Sequence, residues 1–123
     1  MNQRITEAEP LILAIDRNRR NADQLLSEQG YRTRDATSLD DFDRALDAEE
    51  KIDLALVDIA GFDQTIWERC DRLRKMEVPF LVISSRRLAA VAERSAAHGA
   101  RGVLMKPLVT RDFLGLVHGL LER

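Results

Sequence analysis

The sequence predicts a single α/β domain, a doubly wound sheet of five parallel strands with helices on both faces. Three observations support this prediction. Short apolar runs alternate with stretches of helical periodicity, and this βα pattern occurs five times in 123 residues. Most of the runs lack polar alternation, as expected of strands that are buried on both faces. The connections are short, and alternation of this kind produces parallel sheets.

Each element can be placed on the sequence. Strands are predicted at the runs 10–16, 31–36, 52–58, 78–85 and 102–105. The second run alternates polar and apolar residues, which is typical of an edge strand. Helices are predicted at about 19–29, 64–76 and 87–98, and two more are predicted to begin directly after Ser38 and directly after Thr110. Ser38 and Thr110 are predicted N-caps, and Gly30 stands where a helix end favours a left-handed residue.

Composition and charge narrow the class of protein. Charged residues make up 33% of the chain, but the net charge is only −2, which argues against a nucleic-acid surface and against an acidic tail. Cys70 is the single cysteine, so no internal disulfide or thiolate zinc cluster is expected. No apolar run approaches the ~20 residues that cross a bilayer. We therefore expect a cytoplasmic protein with a polar tail at residues 1–9, no signal peptide and one domain at residues 10–123.

Polar residues stand at or directly after the carboxyl ends of four of the predicted strands: Asp16, Asp58, Ser84 and Lys106. In open α/β sheets, ligands bind outside the carboxyl ends of the strands. Any one of these residues alone is readily explained as a strand-end cap or a solvated loop residue. Four of them at one edge of the sheet instead predict a crevice that contains two carboxylates, a hydroxyl and a lysine.

These strand ends resemble the receiver domain of two-component response regulators. The resemblance rests on the acid after the first strand, on "LALVD" at 54–58, on "VISS" at 82–85 and on "GVLMKPL" at 102–108. It covers nearly the whole chain and implies the flavodoxin-like strand order 2-1-3-4-5. It also implies a sensor histidine kinase or a histidine phosphotransfer protein as partner. We expect a monomer or a weak dimer.

The resemblance assigns a role to each polar strand end. In the family, the aspartate after the third strand accepts a phosphoryl group from a phosphohistidine, and the matching residue is Asp58. Lys106 would pair with the phosphoryl group, Ser84 would donate a hydrogen bond to it, and the bond before Pro107 would be cis. A carboxylate can attack phosphorus to form an acyl phosphate, and the transfer needs positioned cations. The domain would then signal through altered partner binding and would catalyse nothing beyond its own phosphorylation.

The sequence departs from the family at Arg17. The family has two consecutive acids after the first strand, which hold Mg²⁺ together with the phosphoacceptor, whereas here Arg17 follows Asp16. By resemblance, the remaining metal ligands are Asp16, Asp58 and the backbone carbonyl of Ala60. Three carboxylates and one lysine give the family site a charge of −2, whereas two carboxylates, Arg17 and Lys106 give 0. Mg²⁺, which prefers oxygen ligands, is therefore expected to bind weakly or not at all.

The Arg17 side chain has two alternative placements. We predict that its guanidinium points into the pocket and pairs with Asp58 or Asp16, because guanidinium groups form bidentate pairs with carboxylates. The alternative is that Arg17 extends into solvent beside Arg19 and Arg20.

Two further departures affect the signal. The loop at 59–63 reads "IAGFD" where the family commonly has a Met-Pro pair, and Val103 stands where many receivers have an aromatic residue that rotates inward. Because of these departures, a second function is also consistent with the sequence: a pseudo-receiver that binds partners without phosphorylation or Mg²⁺. A third, a small enzyme or flavin-binding protein, is weaker because the common phosphate-binding loops are absent.

The histidines and the tryptophan give no functional signal. His98 and His118 lie far apart, without an acid or a cysteine at metal-ligand spacing, and are predicted to be surface residues. Trp67 falls beside core positions of the third helix and is predicted to pack there.

Overall fold

The computed structural model of the chain describes residues 10–17, 22–85 and 89–121, with only the backbone at 22–24. The predicted tail at residues 1–9 lies outside the described residues, as do the first residues of the predicted first and fourth helices. The strands are β1 (Leu11–Ile15), β2 (Arg32–Ala36), β3 (Leu54–Asp58), β4 (Phe80–Ser84) and β5 (Gly102–Met105). The helices are α1 (Ala22–Glu28), α2 (Leu39–Asp47), α3 (Ile66–Lys75), α4 (Ala89–Ala97) and α5 (Thr110–Leu121).

The strands form one parallel sheet in the order β2-β1-β3-β4-β5. This is the predicted order 2-1-3-4-5, and the flavodoxin-like fold is confirmed. The uninterrupted apolar runs occupy β1, β3 and β4, whose residues are all buried. The alternating run forms the edge strand β2, which is mostly half-buried. The order of the sheet reverses between β1 and β3, so the carboxyl ends of these two strands border a crevice.

The core has two layers, because successive side chains of a strand point to opposite faces of the sheet. On one face, Leu13 and Ile15 of β1 share a cluster with residues of α2 and α3. On the other face, Ile12 shares a cluster with Leu26 of α1 and with α5. Trp67 is buried in the first cluster, as predicted.

Cys70 is fully buried in the first cluster. Burial raises the pKa of its thiol to about 12, with a smaller contribution from the charge of Asp71. The thiol is therefore protonated at neutral pH, and a structural role for Cys70 follows.

The strand β3 is shorter than its apolar run. The run at 52–58 includes Ile52, which is buried, but β3 begins only at Leu54. The residue between them explains the difference, because the Asp53 carboxylate accepts a hydrogen bond from the Leu11 N–H at 2.9 Å. Burial thus extends beyond the backbone ladder, and an apolar run marks burial rather than strand pairing.

The helix ends largely follow the sequence. Ser38 precedes α2, and its side chain accepts a hydrogen bond from the Asp41 N–H at 3.1 Å, which confirms the predicted cap. Gly30 has φ +90°, the left-handed conformation predicted for it. Thr110 was predicted to be the N-cap of the last helix, but it is the first residue of α5. None of the described helices has the length and apolarity that a membrane span requires.

Candidate functional site

Asp58 is the last residue of β3, a central strand, and only 3% of it is exposed. Its Oδ2 lies 2.5 Å from the Lys106 Nζ. Its Oδ1 accepts a hydrogen bond from the Ala60 N–H at 3.1 Å. A buried carboxylate is costly unless it is paired and hydrogen-bonded, and both oxygens of Asp58 meet that requirement. The acid that ends the third strand and the lysine that follows the fifth, which were predicted to share one crevice, therefore form a close ion pair.

Lys106 reaches Asp58 across the end of the intervening strand β4. Its N–H donates to the Ser84 carbonyl at 3.0 Å, which continues the β4–β5 ladder by one residue. The Lys106–Pro107 peptide bond is cis, as the resemblance implied. The side chain of Lys106 is 29% exposed. The ammonium group is thus held by Asp58, while part of the Lys106 side chain faces solvent.

Ser84 ends β4 beside this ion pair. It is buried, whereas Ser85 is exposed, so burial agrees with the choice of Ser84 by spacing. Its neighbour Ile83 is paired with Asp58 in the sheet register. The hydroxyl-bearing residue and the acid therefore lie at the same edge, on adjacent strands.

Asp16 follows β1 at the same edge of the sheet. It is half-buried, and its N–H donates to the Ala36 carbonyl at 3.0 Å. Asp16 follows β1, and Asp58 is the last residue of β3. Because β1 and β3 are neighbours, the two acids lie at the ends of adjacent strands. The structure thus brings all four polar strand ends to one edge.

Arg17 does not adopt the predicted placement. It is exposed, and its Cζ lies 5.6 Å from the centre of the Phe62 ring. Within the described residues, Asp58 pairs with Lys106 and not with Arg17, and no ion pair joins Arg17 to Asp16. The predicted pairing is therefore wrong. Two reasons follow from the contacts: Lys106 already neutralises Asp58, and a weakly hydrated guanidinium gains by lying over an aromatic face.

Gly61 makes room for the Arg17 side chain. It has φ +83°, and a Cβ built on it would lie 2.7 Å from the Arg17 Cδ. The stem of Arg17 therefore crosses the loop that follows Asp58, and its guanidinium rests on the next residue, Phe62. The sequence contained all three residues, but their contact depends on bringing two loops together and carries no local signal.

Gly61→Ala is expected to destabilise the protein by about 2 kcal/mol, because the left-handed conformation costs a non-glycine residue roughly 1–2 kcal/mol and the Arg17 stem must move. Gly30→Ala is the matched control, since Gly30 has φ +90° with no atom within 4 Å of its Cβ position. Urea denaturation should show a larger loss for Gly61→Ala than for Gly30→Ala. In an Arg17→Ala background, Gly61→Ala and Gly30→Ala should cause equal losses of stability. An excess that persists there would mean that Arg17 does not cover the loop.

The donors present do not match a tight Mg²⁺ site. In residues 10–17, 22–85 and 89–121, no group of three or more His, Cys, Asp or Glu side chains could hold a metal ion. Both Asp58 oxygens already have partners. The residue after Asp16 is Arg17, whose guanidinium is turned towards Phe62. Mg²⁺ requires near-octahedral oxygen ligation, which these donors supply poorly.

The two histidines were predicted to be surface residues, but each is only half-exposed and has side-chain partners. His98 is half-buried, its Nδ1 lies 2.6 Å from an Asp71 oxygen, and its ring stacks on Trp67. His118 is half-buried and hydrogen-bonded to the Tyr31 hydroxyl. Their partners belong to other elements, so spacing along one helix could not reveal them.

Comparison with solved structures places this fold in a known class. A response regulator from Clostridium difficile is 22% identical with a TM-score of 0.84, over 94% of this chain and 98% of that one. A response regulator receiver protein from Burkholderia phymatum is 28% identical with a TM-score of 0.82, over 92% and 95%. A response regulator protein from Burkholderia pseudomallei, solved with a phosphorylated aspartic acid, a calcium ion and citrate, is 24% identical with a TM-score of 0.76, over 87% and 65%.

The sequence itself gives no such match. No family model matches it, and a comparison with curated proteins finds no match either. The structural neighbours are receiver domains of the CheY-like class. The chain therefore has the fold of a response regulator receiver domain.

Proposed function

We propose that the chain acts as a receiver domain that accepts a phosphoryl group on Asp58. The donor would be a phosphohistidine of a sensor histidine kinase or of a histidine phosphotransfer protein. The observation that carries this proposal is the buried Asp58 carboxylate, held 2.5 Å from the Lys106 ammonium at the carboxyl edge of the sheet. The phosphorylated aspartic acid of the similar Burkholderia pseudomallei protein supports it.

The proposed transfer follows from these contacts. An Asp58 oxygen attacks phosphorus and forms a P–O bond. The P–N bond to the donor imidazole breaks, its electron pair returns to nitrogen, and the nitrogen takes a proton from solvent. Lys106 shifts from the carboxylate to a phosphoryl oxygen and stabilises the transferring charge, while Ser84 donates a hydrogen bond to the phosphoryl group. The charge at position 58 then changes from −1 to about −2, and this change alters partner binding.

We further propose that Mg²⁺ contributes little to this site. The charge of Asp58 is offset by that of Lys106, and the acid that would complete the metal ligands is missing. Lys106 alone then supplies the cation that contacts Asp58. Asp16, Asp58 and the Ala60 carbonyl remain the ligands of any weakly bound metal.

Arg17→Asp is expected to raise Mg²⁺ affinity at least ~tenfold, which corresponds to ~1.4 kcal/mol, because it supplies a carboxylate and removes a cation. Calorimetric titration with Mg²⁺ measures the change. Arg101→Asp changes the charge by the same amount at an exposed residue next to β5, far from the carboxyl edge, and should leave the affinity unchanged. Equal affinities in Arg17→Asp and the wild type would mean that position 17 does not face the metal.

The proposed function is tested by incubation with acetyl phosphate, with and without Mg²⁺, followed by intact mass measurement. The wild type is expected to gain one phosphoryl group, and the gain should depend only weakly on Mg²⁺. Absence of any gain at ample Mg²⁺ would contradict the proposal and favour the pseudo-receiver, a binding module that works without phosphorylation.

A further inference from the structure

An apolar cleft lies between α3 and α4, beside the loop that joins β3 to α3. Its volume is about 200 Å³. Its apolar lining is formed by Ile59, Phe62, Ile66, Trp67, Ala90 and Val91. We call it the α3–α4 cleft. Pockets for complete small ligands span about 300–1,000 Å³, so this cleft suits a single bulky side chain better than a free small molecule.

Two guanidinium groups stand at this cleft. Arg94 of α4 lines it, and the Arg94 Cζ lies 5.8 Å from the Trp67 ring centre. Arg17 lies over the Phe62 ring at 5.6 Å. Both arginines are exposed. Each guanidinium therefore covers one of the two aromatic rings of the lining and faces solvent.

Neither of these arginines forms a close ion pair with a carboxylate among the described residues. The arginine ion pairs there involve other positions: Arg32, Arg44, Arg69, Arg72 and Arg74. The nearby acid of the cleft, Asp63, accepts hydrogen bonds from the Thr65 N–H and hydroxyl. These bonds, chiefly that of the hydroxyl, lower the pKa of Asp63, so it carries its charge at neutral pH. Asp63 and Arg94 both line the cleft, and their charges offset each other. Arg17 lies close enough to Asp63 for its charge to lower the Asp63 pKa as well, so it gives the cleft a small positive excess on a chain of net charge −2.

We propose that the α3–α4 cleft docks an acidic segment of a partner protein that carries one bulky apolar anchor. The anchor side chain enters between Phe62 and Trp67, and flanking carboxylates pair with Arg94 and Arg17. A buried anchor surrounded by a polar rim is the usual source of affinity in such contacts, and the opposite rim charges select the partner and speed its approach. The cleft contains neither Asp58 nor Lys106, so this inference does not depend on phosphorylation.

Trp67 allows the inference to be tested on the unmodified protein, because it is the only tryptophan of the chain and lines the cleft. The probe is the capped peptide Asp-Glu-Phe-Glu-Asp. Its controls are Asp-Glu-Ser-Glu-Asp, which lacks the anchor, and Lys-Lys-Phe-Lys-Lys, which reverses the charge. We expect a saturable change in Trp67 emission with the first peptide, with Kd at or below about 1 mM, and none with the controls. Failure of the first peptide to saturate, or equal binding of all three, overturns the proposal.

Two variants locate the binding site. Arg94→Glu reverses the charge at the cleft, and Arg101→Glu is its control at another exposed arginine. Arg94→Glu should weaken binding roughly fivefold or more, and Arg101→Glu should leave it nearly unchanged. Ala90→Leu, at an exposed helical position that lines the cleft, should block the anchor. Equal weakening by Arg94→Glu and Arg101→Glu would show attraction to the whole protein and would overturn a specific site.

Discussion

Asp58→Asn is expected to abolish phosphorylation by acetyl phosphate completely. The amide keeps the size of the side chain, but it lacks the anionic oxygen that attacks phosphorus. Lys106 would also lose the charge that holds its ammonium group 2.5 Å from position 58. Intact mass measurement should therefore show no added phosphoryl group, even at long incubation.

Asp63→Asn is the matched control for this variant. Asp63 lies in the same loop, but its carboxylate accepts hydrogen bonds from Thr65 and does not contact Asp58. Phosphorylation of Asp63→Asn should stay close to that of the wild type. Undiminished labelling of Asp58→Asn would assign the reaction to another carboxylate and reject Asp58 as the acceptor.

Lys106→Met is expected to destabilise the fold strongly, by about 2–4 kcal/mol, because it leaves a buried carboxylate without its counter-charge. Methionine retains the apolar stem, so the loss reports the charge and not the packing. Asp58→Asn should cost less, since Lys106 is 29% exposed and can extend its ammonium group into water. Substitution of the lysine is thus expected to cost more stability than substitution of the aspartate in the same ion pair.

A double-mutant cycle measures this asymmetry. Asp58→Asn in the Lys106→Met background removes the stranded carboxylate and should recover most of the lost stability. Urea denaturation of the four proteins gives the coupling free energy, which should exceed about 1 kcal/mol for residues in direct contact. If Lys106→Met proved no more costly than Asp58→Asn, the carboxylate would not be held by Lys106 in solution.

The fold could be predicted because its main determinants are local in the sequence. β1, β3 and β4 are buried on both faces, and burial of that kind requires uninterrupted apolar runs. The polar strand ends were equally visible, because parallel strands carry their last residues to one edge. Asp58, Ser84 and Lys106 therefore lie at one edge of the sheet, where the sequence pattern predicted them.

Side-chain partners could not be predicted in the same way. The placement of Arg17 depends on Phe62 and on the missing Cβ of Gly61, both in a different loop. His98 similarly finds Asp71 on a neighbouring helix. A long side chain chooses among several partners by free-energy differences of about 1 kcal/mol or less, and the choice is decided by packing that spacing along the chain does not encode.

Residues of the α3–α4 cleft were noticed individually, but not as a site. Trp67 was predicted only to pack beside the core positions of the third helix. The lining comes from the β3–α3 loop, α3 and α4, which meet only in the folded chain. A cleft assembled from separate elements leaves no motif of its own.

The central claim is that Asp58 is the phosphoacceptor. It is tested most directly by treating the wild-type protein with acetyl phosphate, reducing it with borohydride and mapping the peptides by mass spectrometry. Borohydride reduces an aspartyl phosphate to homoserine with loss of phosphate, so the product marks the acceptor permanently. We predict homoserine at position 58 and at no other aspartate. Homoserine at another position, or unmodified aspartate at position 58 after prolonged treatment, would contradict the claim.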